Sequence, residues 1–162
     1  MNLGAATPAS PPEAARRLPV WPAAPVPGAQ WLAYGGLLPF VGCAGLVWLV
    51  RPEFQAYAAL ALSAYAAAIV SFLGGIHWGL AFCQRQPRPA LFAWGVVPSL
   101  VAWLAMMMPP LAGLVLHGLM LVVCYAVDRR VYPMQGAQHW LTLRLRLTAV
   151  AAPSCFVGAA GI

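Results

Sequence analysis

The sequence has very few charged residues. Only 7% of its 162 residues are charged, lysine is absent, and there are three acidic residues. About a quarter of the residues of a soluble domain are charged, so a chain that is 62% hydrophobic is not expected to fold in water. This composition is typical of an integral membrane protein.

Closely spaced cysteines are absent as well. Cys43, Cys83, Cys124 and Cys155 stand singly, whereas zinc, iron–sulfur and redox motifs need close pairs. The sequence contains no phosphate-binding loop, no nucleophile–base pair and no paired carboxylates. We therefore predict no metal site and no catalytic residues, and the sequence favours a non-catalytic protein over an enzyme.

Five apolar stretches are long enough to cross a membrane, which requires about 20 residues each. They are Trp31–Val50, Tyr57–Leu80, Ala90–Met107, Leu111–Val127 and Leu141–Ile162. We predict an all-α bundle of five transmembrane helices, formed by a single domain over residues 31–162. Residues 1–30 are so rich in proline that we predict a disordered tail there.

The arginines predict the orientation of the bundle. If the five spans alternate in direction, Arg51 is the one arginine on its face of the membrane. The opposite face then carries Arg16, Arg17, Arg85, Arg88, Arg129, Arg130, Arg144 and Arg146. Basic residues in short loops stay in the cytoplasm, so we predict a cytoplasmic N-terminus and an external C-terminus. These arginines flank helices, so their expected partners are lipid headgroups and not nucleic acid.

The last span begins with two arginines. Leu147–Ile162 alone measures only about 24 Å at the helical rise, so the helix must start within Trp140–Arg146. We expect Arg144 and Arg146 to extend their guanidinium groups to the lipid headgroups.

The second helix carries a face of small and polar residues. At about 100° per residue, one third of its circumference contains Ser71, Gly74, His77 and Trp78. Small residues allow helices to approach closely, so we predict that His77 points into the bundle and that Ser71 and Gly74 pack against a neighbouring helix. Gly75 and Gly79 form a second possible packing seam on another edge.

The fourth helix carries a polar stripe. It comprises His117, Cys124, Tyr125 and Asp128, with Gly113 beside it as a packing position. Ionisable residues inside a membrane cost a few kcal/mol each, so His117, Tyr125 and Asp128 join His77 and Trp78 as candidate functional residues.

Two interpretations of the histidines remain open. In the structural one, His77 and His117 each make an interhelical hydrogen bond, and Asp128 is an interfacial residue paired with an arginine. In the other, the two histidines are the axial ligands of a b-type haem. We predict no cofactor, with haem held by His77 and His117 as the alternative.

Several segments resemble a family of bacterial inner-membrane proteins known as a domain of unknown function, which is related to mitochondrial transmembrane protein 69. The most specific is Ser71–Ala81, which contains Gly-Gly-Ile-His-Trp-Gly. Further matches are Tyr34–Phe40, Pro98–Trp103, Asp128-Arg129 and Trp140–Thr148. The resemblance implies a compact multi-helix domain in the bacterial inner (cytoplasmic) membrane, and it assigns no reaction.

The favoured function is an accessory or assembly component that packs against other inner-membrane proteins within the lipid bilayer. Its basis is small size, Gly- and Ala-rich helix faces and the lack of catalytic motifs. The alternative is a carrier or sensor that binds a hydrophobic or tetrapyrrole, haem-like ligand within the bundle.

Overall fold

The fold is entirely helical in the part of the chain that the computed structural model describes, residues 26–86 and 88–162. The helices are α1 (Pro27–Gly35), α2 (Leu38–Leu49), α3 (Pro52–Phe82), α4 (Pro89–Met106), α5 (Pro110–Met134) and α6 (Leu141–Ala160), with a short 3-10 helix at Gln138–Trp140. Because α1 and α2 form one apolar segment, these residues contain five candidate membrane spans. The predicted all-α, five-span architecture is confirmed.

Prolines mark where most of the helices begin. Pro27, Pro52, Pro89 and Pro110 each occupy the first helical position. That position suits proline because its missing N–H would have no partner inside the helix. Most of the predicted tail lies outside the described residues, and helix α1 starts at Pro27 rather than at Trp31.

The first span is broken, which differs from the continuous helix expected over Trp31–Val50. Its two halves, α1 and α2, meet at Gly36 and Leu37. Pro39, in the first turn of α2, has no N–H to continue the hydrogen-bond ladder from α1. The Tyr65 hydroxyl donates a hydrogen bond to the carbonyl of Gly36 at 2.8 Å. A side chain on α3 thus satisfies a backbone group at the break.

Helix α3 is the centre of the bundle. It packs against α2, α4, α5 and α6, and its 31 residues extend for about 46 Å. That length exceeds a hydrocarbon core of about 30 Å, so α3 must tilt or project beyond it. Large apolar side chains such as Trp31, Leu49 and Phe72 are exposed around the outside, as expected of a surface that meets lipid.

The bundle has two chemically different ends. We call one the arginine-rich end; it contains Arg85, Arg88, Arg129, Arg130, Arg144 and Arg146. A hydrogen bond of 2.8 Å from Gln84 to Gln135 joins two of its loops. At the opposite end, the Gln55 amide donates to the carbonyls of Val47 and Gly161, at 3.1 and 2.6 Å.

Candidate functional site

Three side chains from three helices form a buried ionic cluster near the arginine-rich end. The ionic cluster consists of His77 on α3, Asp128 on α5 and Arg144 on α6. Nε and Nη2 of Arg144 both lie 2.8 Å from Oδ2 of Asp128. The His77 and Asp128 side chains are 1% exposed and that of Arg144 is 10% exposed. The carboxylate of Asp128 therefore has a cationic partner within the bundle.

The His77 ring lies between two acceptors. Its Nδ1 is 3.3 Å from the carbonyl oxygen of Leu73, one turn earlier on α3. Its Nε2 is 3.5 Å from Oδ1 of Asp128, at the outer limit of hydrogen bonding. Because a carbonyl can only accept, Nδ1 carries the proton of the first contact. The second contact brings a ring nitrogen close to a carboxylate oxygen without a hydrogen bond between them.

The ionic cluster also holds the helices together. Breaking a buried ion pair by removing one partner typically costs about 3–5 kcal/mol, because the remaining charge is left buried and unpaired. Asp128 connects α5 both to α3 and to the first turn of α6. The cluster thus positions the start of the last span, the boundary that hydropathy defines least well.

Arg144 does not extend to the lipid headgroups, contrary to expectation, and it is the arginine that pairs with Asp128. Successive residues turn by about 100°, so Arg144 and Arg146 are separated by about 200° around α6 and cannot share one face. Arg146 is exposed and donates to the Tyr34 hydroxyl at 3.3 Å. Sequence reasoning missed Arg144 as a site residue, although this angular separation places one of the two arginines inside.

Trp78 lies at the edge of the bundle, away from the ionic cluster. It is 39% exposed, and its indole N–H donates to the carbonyl of Phe92 on α4 at 3.0 Å. The tryptophan beside His77 is Trp94, whose ring centroid lies 6.4 Å from that of the imidazole. The consecutive residues His77 and Trp78 therefore have different surroundings.

His117 occupies a separate site between α3, α4 and α5. Its Nδ1 lies 3.4 Å from Oγ of Ser63, and the Ser63 hydroxyl donates to the sulfur of Met106 at 3.4 Å. Asp128, the partner of His77, follows His117 by 11 residues on α5, about 16 Å along the helix axis. His117 and the ionic cluster are therefore separate sites, about three helical turns apart along α5.

The polar stripe of α5 is buried at His117, Cys124 and Asp128, while Tyr125 is only partly buried. The stripe continues to Tyr132, which is 4% exposed and whose ring centroid is 6.3 Å from that of His77. Sequence reasoning missed Tyr132, although it lies one turn after Asp128 on the same face.

The glycines divide into inward and outward sets. A Cβ atom at Gly74 would collide with the carbonyl of Gly95 on α4, and one at Gly113 would collide with the carbonyl of Ala105. Gly75 and Gly79 face outward, where a Cβ atom would meet no atom of the described residues within 4 Å. Ser71, expected beside Gly74, is partly buried. The first two glycines thus allow close contact of α4 with α3 and α5.

A family profile described as "Protein of unknown function (DUF3429)" matches residues 25–160. The chain belongs to this family. Transmembrane protein 69 of Xenopus tropicalis is 38% identical over 138 residues, which cover 79% of this chain and 51% of the relative. The chain thus spans about half the length of that relative. No solved structure matches it.

The family match includes every described residue of both histidine sites. The ionic cluster, His117 and Ser63 all lie within residues 25–160. The five candidate spans and the similarity to transmembrane protein 69 together indicate a multi-pass membrane protein. No three His, Cys, Asp or Glu side chains of the described residues come together in a metal-ligand arrangement.

Proposed function

We propose that this protein is a non-catalytic accessory or assembly component that packs against other proteins of a larger inner-membrane complex. The observation that carries the proposal is the outward pair Gly75 and Gly79, whose helix face is open within the described chain. Small residues four positions apart allow a second helix to approach closely in a membrane. This pair therefore offers a contact for a helix of another protein.

The proposal includes a location and an orientation. The protein resides in the bacterial inner (cytoplasmic) membrane, in contact with lipid and other membrane proteins, and it does not bind nucleic acid. Its arginine-rich end faces the cytoplasm, because basic residues in short loops are retained there. The C-terminus, on the same side as Gln55, then lies outside.

The primary test is the size of the native assembly. Native membranes containing the tagged protein are solubilised in mild detergent, and size fractions are identified by mass spectrometry. Co-migration with a defined larger complex, and depletion of that complex in a deletion strain, are the expected results. Migration as a monomer or dimer, with unchanged membrane complexes in the deletion strain, would contradict the accessory role.

A variant pair tests the glycine contact itself. Gly75→Leu places a side chain on the open face of α3, where a Cβ atom meets no atom of the described residues within 4 Å, so we expect the fold to persist and the larger complex to be lost. Ala93→Leu adds leucine at an exposed position of α4 and serves as the matched control. Equal co-migration of both variants would exclude Gly75 as a partner contact. Gly74 is unsuitable for this test because its substitution disturbs packing within the chain.

A lateral groove favours the second candidate function, a carrier or sensor of a hydrophobic ligand. The groove lies between α1, α3 and α6, has a volume of about 870 Å³ and is lined mainly by apolar side chains. Ligand pockets typically measure about 300–1,000 Å³ and are lined mostly by apolar groups. A haem-like ligand in this candidate would need iron ligands other than His77 and His117 acting together.

A further inference from the structure

The two halves of the first span are attached to the bundle in very different ways. Within the described chain, none of the nine residues of α1 is buried, and Trp31 and Leu32 are 78% and 80% exposed. Helix α2 instead buries Phe40, Ala44 and Val47 and packs against both α3 and α6. Helix α1 packs against α6. The first half of the span therefore lies on the surface of the bundle, and the second half is part of its core.

A membrane adds little force that would keep α1 in this position. Lipid tails are as apolar as the helix side chains, so membrane helices associate through close packing and hydrogen bonds. Because no side chain of α1 is buried, the helix has little close packing to lose when lipid replaces α6. The Tyr34 hydroxyl on α1 accepts a hydrogen bond from Arg146 on α6 at 3.3 Å. We call this exposed contact the latch.

The break between α1 and α2 has the properties of a hinge. Gly35 and Gly36 lack side chains, and a Cβ atom at Gly35 would meet no atom of the described residues within 4 Å. Pro39 has no N–H to bond the carbonyl four residues earlier, and small residues and proline are the usual causes of helix kinks. The Tyr65 hydroxyl holds the Gly36 carbonyl from α3. The pivot is therefore fixed to the bundle, while α1 beyond it is not.

Helix α1 also forms one wall of the lateral groove. Ala29, Leu32 and Ala33 line the groove from α1, and residues of α3 and α6 form its other walls. Because one end of this wall is the hinge, a swing of α1 changes the width of the groove along its whole contact with α1.

We infer that α1 is a lateral gate of the groove, which swings as a rigid helix about residues 35–37 and is held closed by the latch between Tyr34 and Arg146. In the open position α1 separates from α6, and lipid reaches the groove from that side. The gate is a property of the helix arrangement and does not depend on either function proposed above.

The test measures distances between two spin labels in the full-length protein in lipid nanodiscs. Cys43 and Cys83, the free cysteines that are not buried, are first replaced by alanine. The labels are attached at Trp31→Cys on α1 and at Ala93→Cys on α4, both at exposed positions. Double electron–electron resonance should show two distances, one for each position of the gate. The control pair, with the first label at Val41→Cys on α2, should show one.

A variant of the latch tests what holds the gate closed. Tyr34→Phe keeps the ring and removes the acceptor of the Arg146 hydrogen bond. A hydrogen bond between membrane helices changes a population by about threefold, so the ratio of open to closed molecules should rise about threefold. Tyr57→Phe, at an exposed tyrosine of α3, is the matched control and should leave the ratio unchanged.

Three results would overturn the gate. The first is a single narrow distance for the label pair on α1 and α4, both in the wild type and in Tyr34→Phe. The second is an equal ratio of open to closed molecules in Tyr34→Phe and Tyr57→Phe. The third is a second distance for the control pair on α2 and α4 as well, because the whole span and not α1 alone would then be moving.

Discussion

The two buried histidines are held in opposite ways. His77 contacts a carboxylate that is also paired with Arg144, so its site contains formal charges of both signs. His117 contacts the hydroxyl of Ser63, and Met106 completes a neutral site. Both rings are at most 1% exposed. Burial alone therefore does not indicate what a membrane histidine does, whereas its partners do.

The difference follows the position of each site along the bundle. The ionic cluster lies at the arginine-rich end, where α6 begins with Arg144 in its first turn. The His117 site lies about 16 Å from it along the axis of α5, toward the start of that helix. Buried charges cost most deep in the hydrocarbon, so a charged site near one end and a neutral site deeper in the bundle are physically consistent.

The largest expected effect comes from removing the shared carboxylate. Asp128→Ala leaves Arg144 buried without its counter-charge, which should lower the free energy of unfolding by about 3–5 kcal/mol. The measurement is equilibrium unfolding in mixed dodecyl maltoside and SDS micelles.

Replacing Asp128 with Leu and Arg144 with Met together should recover most of the loss, because no unpaired charge remains. Arg129→Met, on the exposed neighbour of Asp128, should change stability by less than about 0.5 kcal/mol. An Asp128→Ala protein as stable as this control would refute the structural role of the ion pair.

A smaller effect is expected at the neutral site. Ser63→Ala removes the hydroxyl beside Nδ1 of His117, while the backbone partners of the ring at Ala102 and Gly113 remain, so the expected loss is that of about one hydrogen bond, about 0.5–1.5 kcal/mol. The same unfolding assay should show this loss. Ser71→Ala, at a partly buried serine on the same helix, is the control and should be nearly neutral. Equal stability of Ser63→Ala and Ser71→Ala would show that the contact contributes nothing.

The smallest effect gives the sharpest comparison. A double-mutant cycle between His77→Leu and Asp128→Asn should yield a coupling free energy of at least about 0.5 kcal/mol, because the side chains are in contact. The parallel cycle between His117→Leu and Asp128→Asn should be additive within about 0.5 kcal/mol, since these residues are far apart. Coupling of similar size in both cycles would contradict two independent histidine sites.

Periodicity predicted the helices because apolar runs and prolines act locally. The span lengths depend on hydropathy, and the helix starts depend on proline, whose missing N–H suits the first turn. The break between α1 and α2 was missed because Pro39 stands as readily in a kinked continuous helix as at a new helix start. The hydrogen bond from the Tyr65 hydroxyl to the carbonyl of Gly36 joins α3 to this break. Because it connects different helices, the local sequence does not reveal it.

Helical periodicity predicted which faces of α3 and α5 are buried, but it did not predict which residues on those faces contact each other. Helical angles directed His77, His117 and Asp128 inward because each angle depends on one helix alone. Grouping them into one cluster required the relative heights of α3 and α5, which no single-helix pattern contains. The same gap explains why Trp94, the tryptophan beside His77, was not predicted.

By itself, the sequence determined a five-span α-helical membrane protein, because the transfer of each segment into lipid depends on that segment's own composition and hydropathy. It also determined that His117, Cys124 and Asp128 on α5 face inward. Only the tertiary structure decided that Arg144 pairs with Asp128, that the histidines occupy separate sites, and that a groove opens between α1 and α6. These features depend on the register and crossing of helices distant in sequence, where a shift of one turn, about 5.4 Å, changes every partner.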